Sequence, residues 1–162
     1  WGVPGARRLV YLTCGTGFGM GLVVDGRIYR GAGGQPSDIG HIRYRDDGPE
    51  AYGKRGSLEG YAAGGALPRL AAWLFPGRDA GQVLRLNAQA VGQACALLLD
   101  MLYPDRISLG GLAHYLGEGW LNDVRAACAA EAMAGGAGAR IVAPAALGNA
   151  VQDLAPIAVA TP

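Results

Sequence analysis

Cysteine is scarce in this chain: Cys14, Cys95 and Cys128 are the only three among 162 residues. An odd count at no metal-like spacing argues against both a disulfide framework and a metal ribbon, and a reducing cytoplasm is the expected setting. Charge of one sign is equally lacking. The formal net charge is +1, with basic and acidic residues mixed as in the "RYRDD" of 43–47, so neither nucleic acid nor an anionic membrane is an expected partner. Long hydrophobic runs are missing as well. The longest apolar stretch, "ACALLLDMLY" at 94–103, is cut by Asp100 and falls well short of the roughly 20 residues that cross a bilayer. The opening residues show no basic-then-apolar pattern. Beginning at Trp1 in what reads as a linker, the chain is expected to be part of something longer. What remains is one compact domain over 1–162, with 51% apolar side chains, able to bury roughly 70% of its unfolded surface and suited to a small ligand.

Glycine, by contrast, is plentiful. "TCGTGFGMGLVVDGRIYRG", residues 13–31, holds six glycines. "RRLVYLT" and the two runs in "GMGLVVDGRIY" predict three antiparallel strands, the second pair joined by Asp25-Gly26, a dipeptide suited to a tight hairpin. From "GAGGQPSDIGH" to "GPEAYGKRG" turn residues dominate, which predicts a long structured loop with one short strand at "HIRY". A helix is expected from Ser57, broken at Gly64-Gly65 and resumed with Pro68 in its first turn. Val91, Cys95, Leu98 and Leu102 mark one face of a helix from about Asn87 to Tyr103, with Cys95 read as core. A buried strand at "PDRISLGG", a helix through "LGEGWLNDVRAACAAEAM", a glycine-rich connection "AGGAGA", a strand at "RIVAP" and a last helix around "LGNAVQDLA" complete the order. An antiparallel start followed by alternating α and β predicts an α/β fold with a mixed sheet and flanking helices.

Gly15, Gly17, Gly19 and Gly21 leave main-chain N–H groups free of side-chain cover, and successive amides in such a turn can nest an anion. The spacing is not a dinucleotide-binding fingerprint, since a strand follows where a helix should, and no Lys-Ser/Thr pair ends it as in a P-loop. Two readings stay open on these residues alone. One is a phosphate hairpin with the Thr13 and Thr16 hydroxyls beside it; the other is a hairpin whose glycines merely let it twist. "ISLGGL" brings a second glycine turn, Gly110-Gly111, to a strand end, where a flat ring could lie on backbone without a Cβ in the way. Asp38 and His41 in "SDIGH" and Glu59 at a helix start could accept hydrogen bonds from sugar hydroxyls, or could serve only as loop and cap groups.

Taken in order, "YLTCGTGFGMGLVVDGRIYRGAGGQPSDIGH", "GKRGSLEGYAAG" and "RISLGG" resemble the second lobe of the ROK family of repressors and sugar kinases, from about Leu9 to the final helix. The resemblance implies an actin-like, ribonuclease-H-like lobe that shares a cleft with a first lobe and holds ATP with Mg and a hexose. It implies that Thr13, Gly15, Thr16, Gly17 and Gly19 cradle the ATP phosphates and that Gly110 and Gly111 meet the adenosine. Asp38, His41 and Glu59 would contact the sugar. It also admits a homodimer.

Three departures shape the expectation. The family's sugar-contacting Glu is here Asp38. The cysteines of the family's zinc site are replaced by Glu50, Tyr52 and Ser57, so no zinc is expected, and charge pairs among Asp46, Asp47, Glu50, Lys54 and Arg55 are expected to fix the loop instead. The first lobe, with its D-x-G-G-T motif and the Asn-Asp pair that supplies the general base, has no counterpart here. No catalytic residue is therefore assigned, and the chain alone is expected to be inactive. The implied function is the C-terminal lobe of an ATP-dependent hexose kinase, glucokinase-like; the alternative is the sugar-sensing lobe of a ROK-type repressor.

Overall fold

The computed structural model describes residues 3–74, 79–148 and 150. Strand β1 (Leu9–Cys14) pairs antiparallel with β2 (Phe18–Val24), which pairs with β3 (Arg27–Ile28). The β2–β3 turn is the expected one: Asp25 and Gly26 both take positive φ, +51° and +77°, as a two-residue hairpin requires. A 3-10 turn at Ala32–Gly34 opens the long loop.

Inside that loop the structure departs from the sequence reading. "HIRY" contributes only an isolated bridge from Arg43 to Ser57, and the true strands are β4 (Glu50–Ala51) and β5 (Lys54–Arg55), a separate hairpin. Two-residue strands are too short to show alternation, so periodicity could not find them.

Helix α1 (Leu58–Ala62) begins where expected, with the Ser57 hydroxyl accepting from the Gly60 amide at 3.3 Å and so meeting one orphan N-terminal donor. A 3-10 turn at Gly64–Ala66 breaks it, and α2 (Leu67–Trp73) follows with Pro68 in its first turn. Helix α3 (Ala80–Leu102) starts seven residues before the expected Asn87, because Asp79 caps it through the Gln82 amide at 2.7 Å. Gly81 lies in that first turn, where its poor helix propensity hides the start from the sequence pattern. Strand β6 (Arg106–Gly111) leads into a short helix α4 (Leu112–Tyr115), then α5 (Gly117–Glu131). "AGGAGA" is not a bare connection: it forms α6 (Gly135–Ala139) packed on α5, a case of packing overriding propensity. Strand β7 (Val142–Pro144) closes the order. The expected last helix lies outside the described residues apart from its first few.

The five strands form one mixed sheet in the order β3-β2-β1-β6-β7, with β1, β6 and β7 parallel. Alternation decides its two faces. Val10, Leu12, Ile107, Leu109 and Val142 point to a face with under 2% exposure and share one core with the inner sides of α3 and α5, Cys95 and Cys128 included. Burial pushes the Cys128 thiol up to about 11 and the Cys95 thiol well above its usual range, so both behave as small hydrophobes. On the other face Leu9, Tyr11 and Thr13 are partly or largely exposed.

Asn87 is a polar group fully inside this core. Asn87 donates through Nδ2 to the carbonyls of Tyr61 at 2.9 Å and Ala62 at 3.0 Å, and its Oδ1 accepts from Trp120 Nε1 at 2.9 Å. It thereby satisfies the last carbonyls of α1 and ties that short helix to α3 and α5. Replacing Asn87 by Leu leaves three buried partners unsatisfied; a loss of about 3 kcal/mol is expected, measured as a lower midpoint in chemical denaturation.

Candidate functional site

The parallel strands β1 and β6 end side by side, Cys14 opposite Gly111, and ligands of open α/β sheets gather at such carboxyl ends. Gly111 has φ +61°, and a Cβ there would run into the Cys14 carbonyl. The two glycine turns thus lie in contact, a closeness that only glycine permits.

The turn between β1 and β2 is less open than its glycine count implies. The Gly15 amide donates to the Gly17 carbonyl at 3.1 Å, the Phe18 amide to Glu59 Oε2 at 3.0 Å, and Gly19 sits opposite Thr13 in the ladder. Among the described residues, the amides of Thr16 and Gly17 find no protein acceptor. The expected cradle of alternating glycines therefore narrows to two adjacent N–H groups, one on a threonine. Behind it, the Gly65 amide donates to the Gly15 carbonyl at 3.0 Å, and a Cβ on Gly65 would fall on the Thr16 carbonyl. The helix break at Gly64-Gly65, legible in the sequence only as a break, backs the turn.

Asp38, His41, Glu59 and Gly17 come together around one cavity of about 840 Å³, which Thr13, Gly19 and Tyr52 also line. Glu59 is held at both ends: its own amide donates to the Gly40 carbonyl at 2.9 Å, and its carboxylate lies within 3.2 Å of the place a Gly17 Cβ would take. Oε2 is occupied by Phe18, while no described group donates to Oε1. Asp38 is exposed, and its Oδ1 accepts from the Gly40 amide at 2.7 Å. His41 is exposed, and its carbonyl accepts from Lys54 Nζ.

Gly15, Gly110 and Gly111 line a second cavity of about 160 Å³, and Thr13 lines both. Here the structure modifies the expected platform. The place of a Gly110 Cβ is taken by the hydroxyl and ring of Tyr11, so the flat ring resting on Gly110 is the protein's own. Room for a ligand lies toward Gly111, His114 and Tyr115. These last two were missed in the sequence, where "LAHY" carried no periodicity; their rings meet edge to face at 5.3 Å. Burial, with a smaller contribution from Cys14, raises the Tyr11 hydroxyl pKa, and burial alone pushes the Cys14 thiol up to about 12. Both groups are neutral donors near pH 7.

The loop between β3 and α1 is tied by one ion pair rather than the expected set. Arg55 Nε meets Asp47 Oδ1 at 2.8 Å, which holds the Asp47 carboxyl below its usual range. Arg43 Nη1 donates to the carbonyls of Arg45, Asp46 and Arg55 at 3.2, 3.3 and 3.2 Å, and the Tyr61 hydroxyl to that of Asp47 at 2.8 Å. Lys54 turns to a carbonyl, so the Asp46 and Lys54 side chains form no ion pair. Among the described residues no group of three or more His, Cys, Asp or Glu could hold a metal ion.

Residues 3–152 match the profile of the ROK family. The chain belongs to this family. It is 30% identical over 152 residues to a glucokinase of Halalkalibacterium halodurans, covering 75% of this chain and 46% of that protein. To a xylose repressor of Caldicellulosiruptor bescii it is 28% identical over 147 residues, 72% of this chain and 37% of the repressor. This ROK chain thus spans less than half the length of these curated relatives. In fold it is similar to the ROK family glucokinase from Streptomyces griseus solved in complex with glucose and AMPPNP, with a TM-score of 0.72 and 24% identity over 90% of this chain and 58% of that one. The fold is the expected actin-like, ribonuclease-H-like one, with a mixed sheet and flanking helices.

The tight seat behind the ROK glycine turn can be tested by stability. Gly65→Ala forces the Thr16 peptide to move, with an expected cost of about 1–3 kcal/mol. Gly119→Ala, on α5 with nothing within 4 Å of the new methyl group, is expected to be neutral or stabilising by about 0.5–1 kcal/mol; paired urea titrations read both.

Proposed function

We propose that this chain is the C-terminal lobe of an ATP-dependent hexose kinase, binding MgATP and a hexose and helping to pass the γ-phosphoryl group to a sugar hydroxyl. The observation that supports it most is the turn that carries the Thr16 and Gly17 amides, whose Gly17 lines the cavity of Asp38, His41 and Glu59 and whose Gly15 lines the cavity of Gly110 and Gly111. In this reading Asp38, His41 and Glu59 orient the sugar, with Glu59 Oε1 free to accept a hydroxyl proton. The two amides and the Thr13 and Thr16 hydroxyls receive phosphate oxygens, and Gly111 gives the adenosine room. Phosphoryl transfer depends on bringing acceptor and phosphate into line and stabilising charge, which these groups do without covalent chemistry.

A general base is assigned outside these residues. The Asn122-Asp123 pair lies on α5 and lines neither cavity, so it is no substitute for the aspartate expected in a first lobe. Magnesium would supply charge neutralisation on the triphosphate; among the described residues no group of three or more His, Cys, Asp or Glu would hold it. The cytoplasm, where ATP and hexoses meet, is the proposed location.

A sugar-sensing lobe of a ROK-type repressor is the second reading, favoured by the likeness to a xylose repressor. Two unoccupied amides beside a carboxylate-lined cavity favour the kinase, because an effector site needs no phosphate cradle. A coupled ATP-consumption assay of the complete gene product against hexoses and amino-hexoses separates the two. One sugar is expected to raise turnover, and Glu59→Gln to lower it at least about 100-fold; a sugar that binds without turnover would make the protein a regulator.

The loop carrying His41 is proposed to fold without zinc. The Ser57 hydroxyl is spent on capping α1, and Arg43, Lys54 and Arg55 already supply cross-links. Elemental analysis of the purified protein is expected to find no stoichiometric zinc, and one zinc per chain would refute the claim.

A further inference from the structure

Hairpin β4–β5 breaks a local rule at its tip. Its two turn residues, Tyr52 and Gly53, have φ of +47° and +73°. Such a turn selects Asn, Asp or Gly at its first position, since a Cβ crowds the backbone when φ is positive. A bulky aromatic is the wrong residue by that measure. Burial does not compensate, because Tyr52 is 83% exposed. Residues that violate local preference without a packing return tend to sit at functional sites.

Tyr52 lines the same cavity as Asp38, His41 and Glu59. The hairpin beneath it is anchored on several sides: Lys54 Nζ to the His41 carbonyl, Arg55 to Asp47, and the Gly56 amide to the Pro49 carbonyl at 3.3 Å. These bonds hold the hairpin in place and link it to the segment that carries His41, so that Tyr52 stays at the cavity. The cavity therefore offers carboxylate acceptors, and a flat apolar surface with one polar tip at its rim. A pyranose presents the matching pair, an edge of hydroxyl donors and a face of C–H groups, and aromatic rings supply contact area at low entropic cost.

We propose that Tyr52 is a substrate-binding residue, an aromatic platform for the C–H face of the sugar. The inference rests on the sugar-binding reading of the cavity and adds a specificity to it. Hexopyranoses with mainly equatorial hydroxyls keep that face unbroken, whereas an axial hydroxyl interrupts it. The site is thus expected to favour the former.

The test measures hexose affinity by calorimetry and melting temperature for the full-length protein and its variants. Tyr52→Phe keeps the platform and is expected to bind within about twofold of the parent. Tyr52→Asn suits the turn, so its melting temperature is expected to rise by a few degrees while affinity falls about tenfold or more, and Tyr52→Gly repeats the measurement with a second turn-compatible residue. Asn and Gly variants that gain stability with unchanged affinity would show that Tyr52 is only a strained turn residue, overturning the platform. If Glu59→Gln abolishes binding that Tyr52→Asn leaves intact, the sugar reading survives and the platform alone falls; if the parent binds no hexose, both fall.

Discussion

The hydrogen bond from the Phe18 amide to Glu59 Oε2 joins two pieces of chain that sequence separates by 41 positions. It takes one amide out of the glycine turn, and so decides which N–H groups remain for an anion. It also fixes a carboxylate directly beside that turn with one oxygen unspent. A neutral amide donor does not cancel the charge of a carboxylate, but it offsets part of the cost of holding that charge in place. The Phe18 amide is such a donor, and Gly17 and Gly40 leave the carboxylate space. Much of the remaining architecture serves to hold this bond. Ser57 caps the helix that carries Glu59, Asn87 satisfies its far end, and the Gly65 amide pins the turn from behind.

The parts of the fold that rest on repetition were legible in the sequence. Runs of β-rich residues located β1, β2, β6 and β7, Asp25-Gly26 located a hairpin, and the stripe from Val91 to Leu102 located α3. Features that rest on single contacts were not. The start of α3 depends on one cap at Asp79, β4 and β5 on pairs of residues, and α6 on packing against α5 that outweighs three glycines. The candidate site divides the same way. Residue types left Asp38, His41 and Glu59 open as sugar or loop groups, the resemblance implied one sugar site for them, and the structure gathers them around one cavity. Only coordinates could show that Tyr11 covers Gly110, or that the Gly15 and Phe18 amides are already bonded.

Tyr11 follows from the same sheet geometry. Side chains on one face of neighbouring parallel strands fall in rows, so Tyr11 and Thr13 on β1 stand beside Ser108 and Gly110 on β6. An aromatic four residues before Gly15 needs a hollow to lie in, and the missing side chain of Gly110 provides it. Gly110 is thus explained by packing alone, as a seat for Tyr11, whereas Gly111 with its positive φ is explained by the approach of the two turns. The paired glycines of "SLGG" therefore have different physical causes, although both line the cavity of about 160 Å³.

The loop over the cavity shows how one geometry can be held by different chemistry. A metal bound by cysteines would fix such a segment by a few strong bonds at one point. Here the Arg43 guanidinium reaches three carbonyls, Arg55 pairs with Asp47, and Tyr61 reaches in from α1. Exposed ion pairs contribute little individually, so the Arg55–Asp47 pair cannot carry the loop by itself. The carbonyl bonds matter more, because they meet backbone acceptors that the irregular chain would otherwise leave unpaired. A loop fixed through its backbone frees its side-chain positions from metal ligation. Tyr52, at a position where the family resemblance implies a zinc-site cysteine, lines the cavity instead.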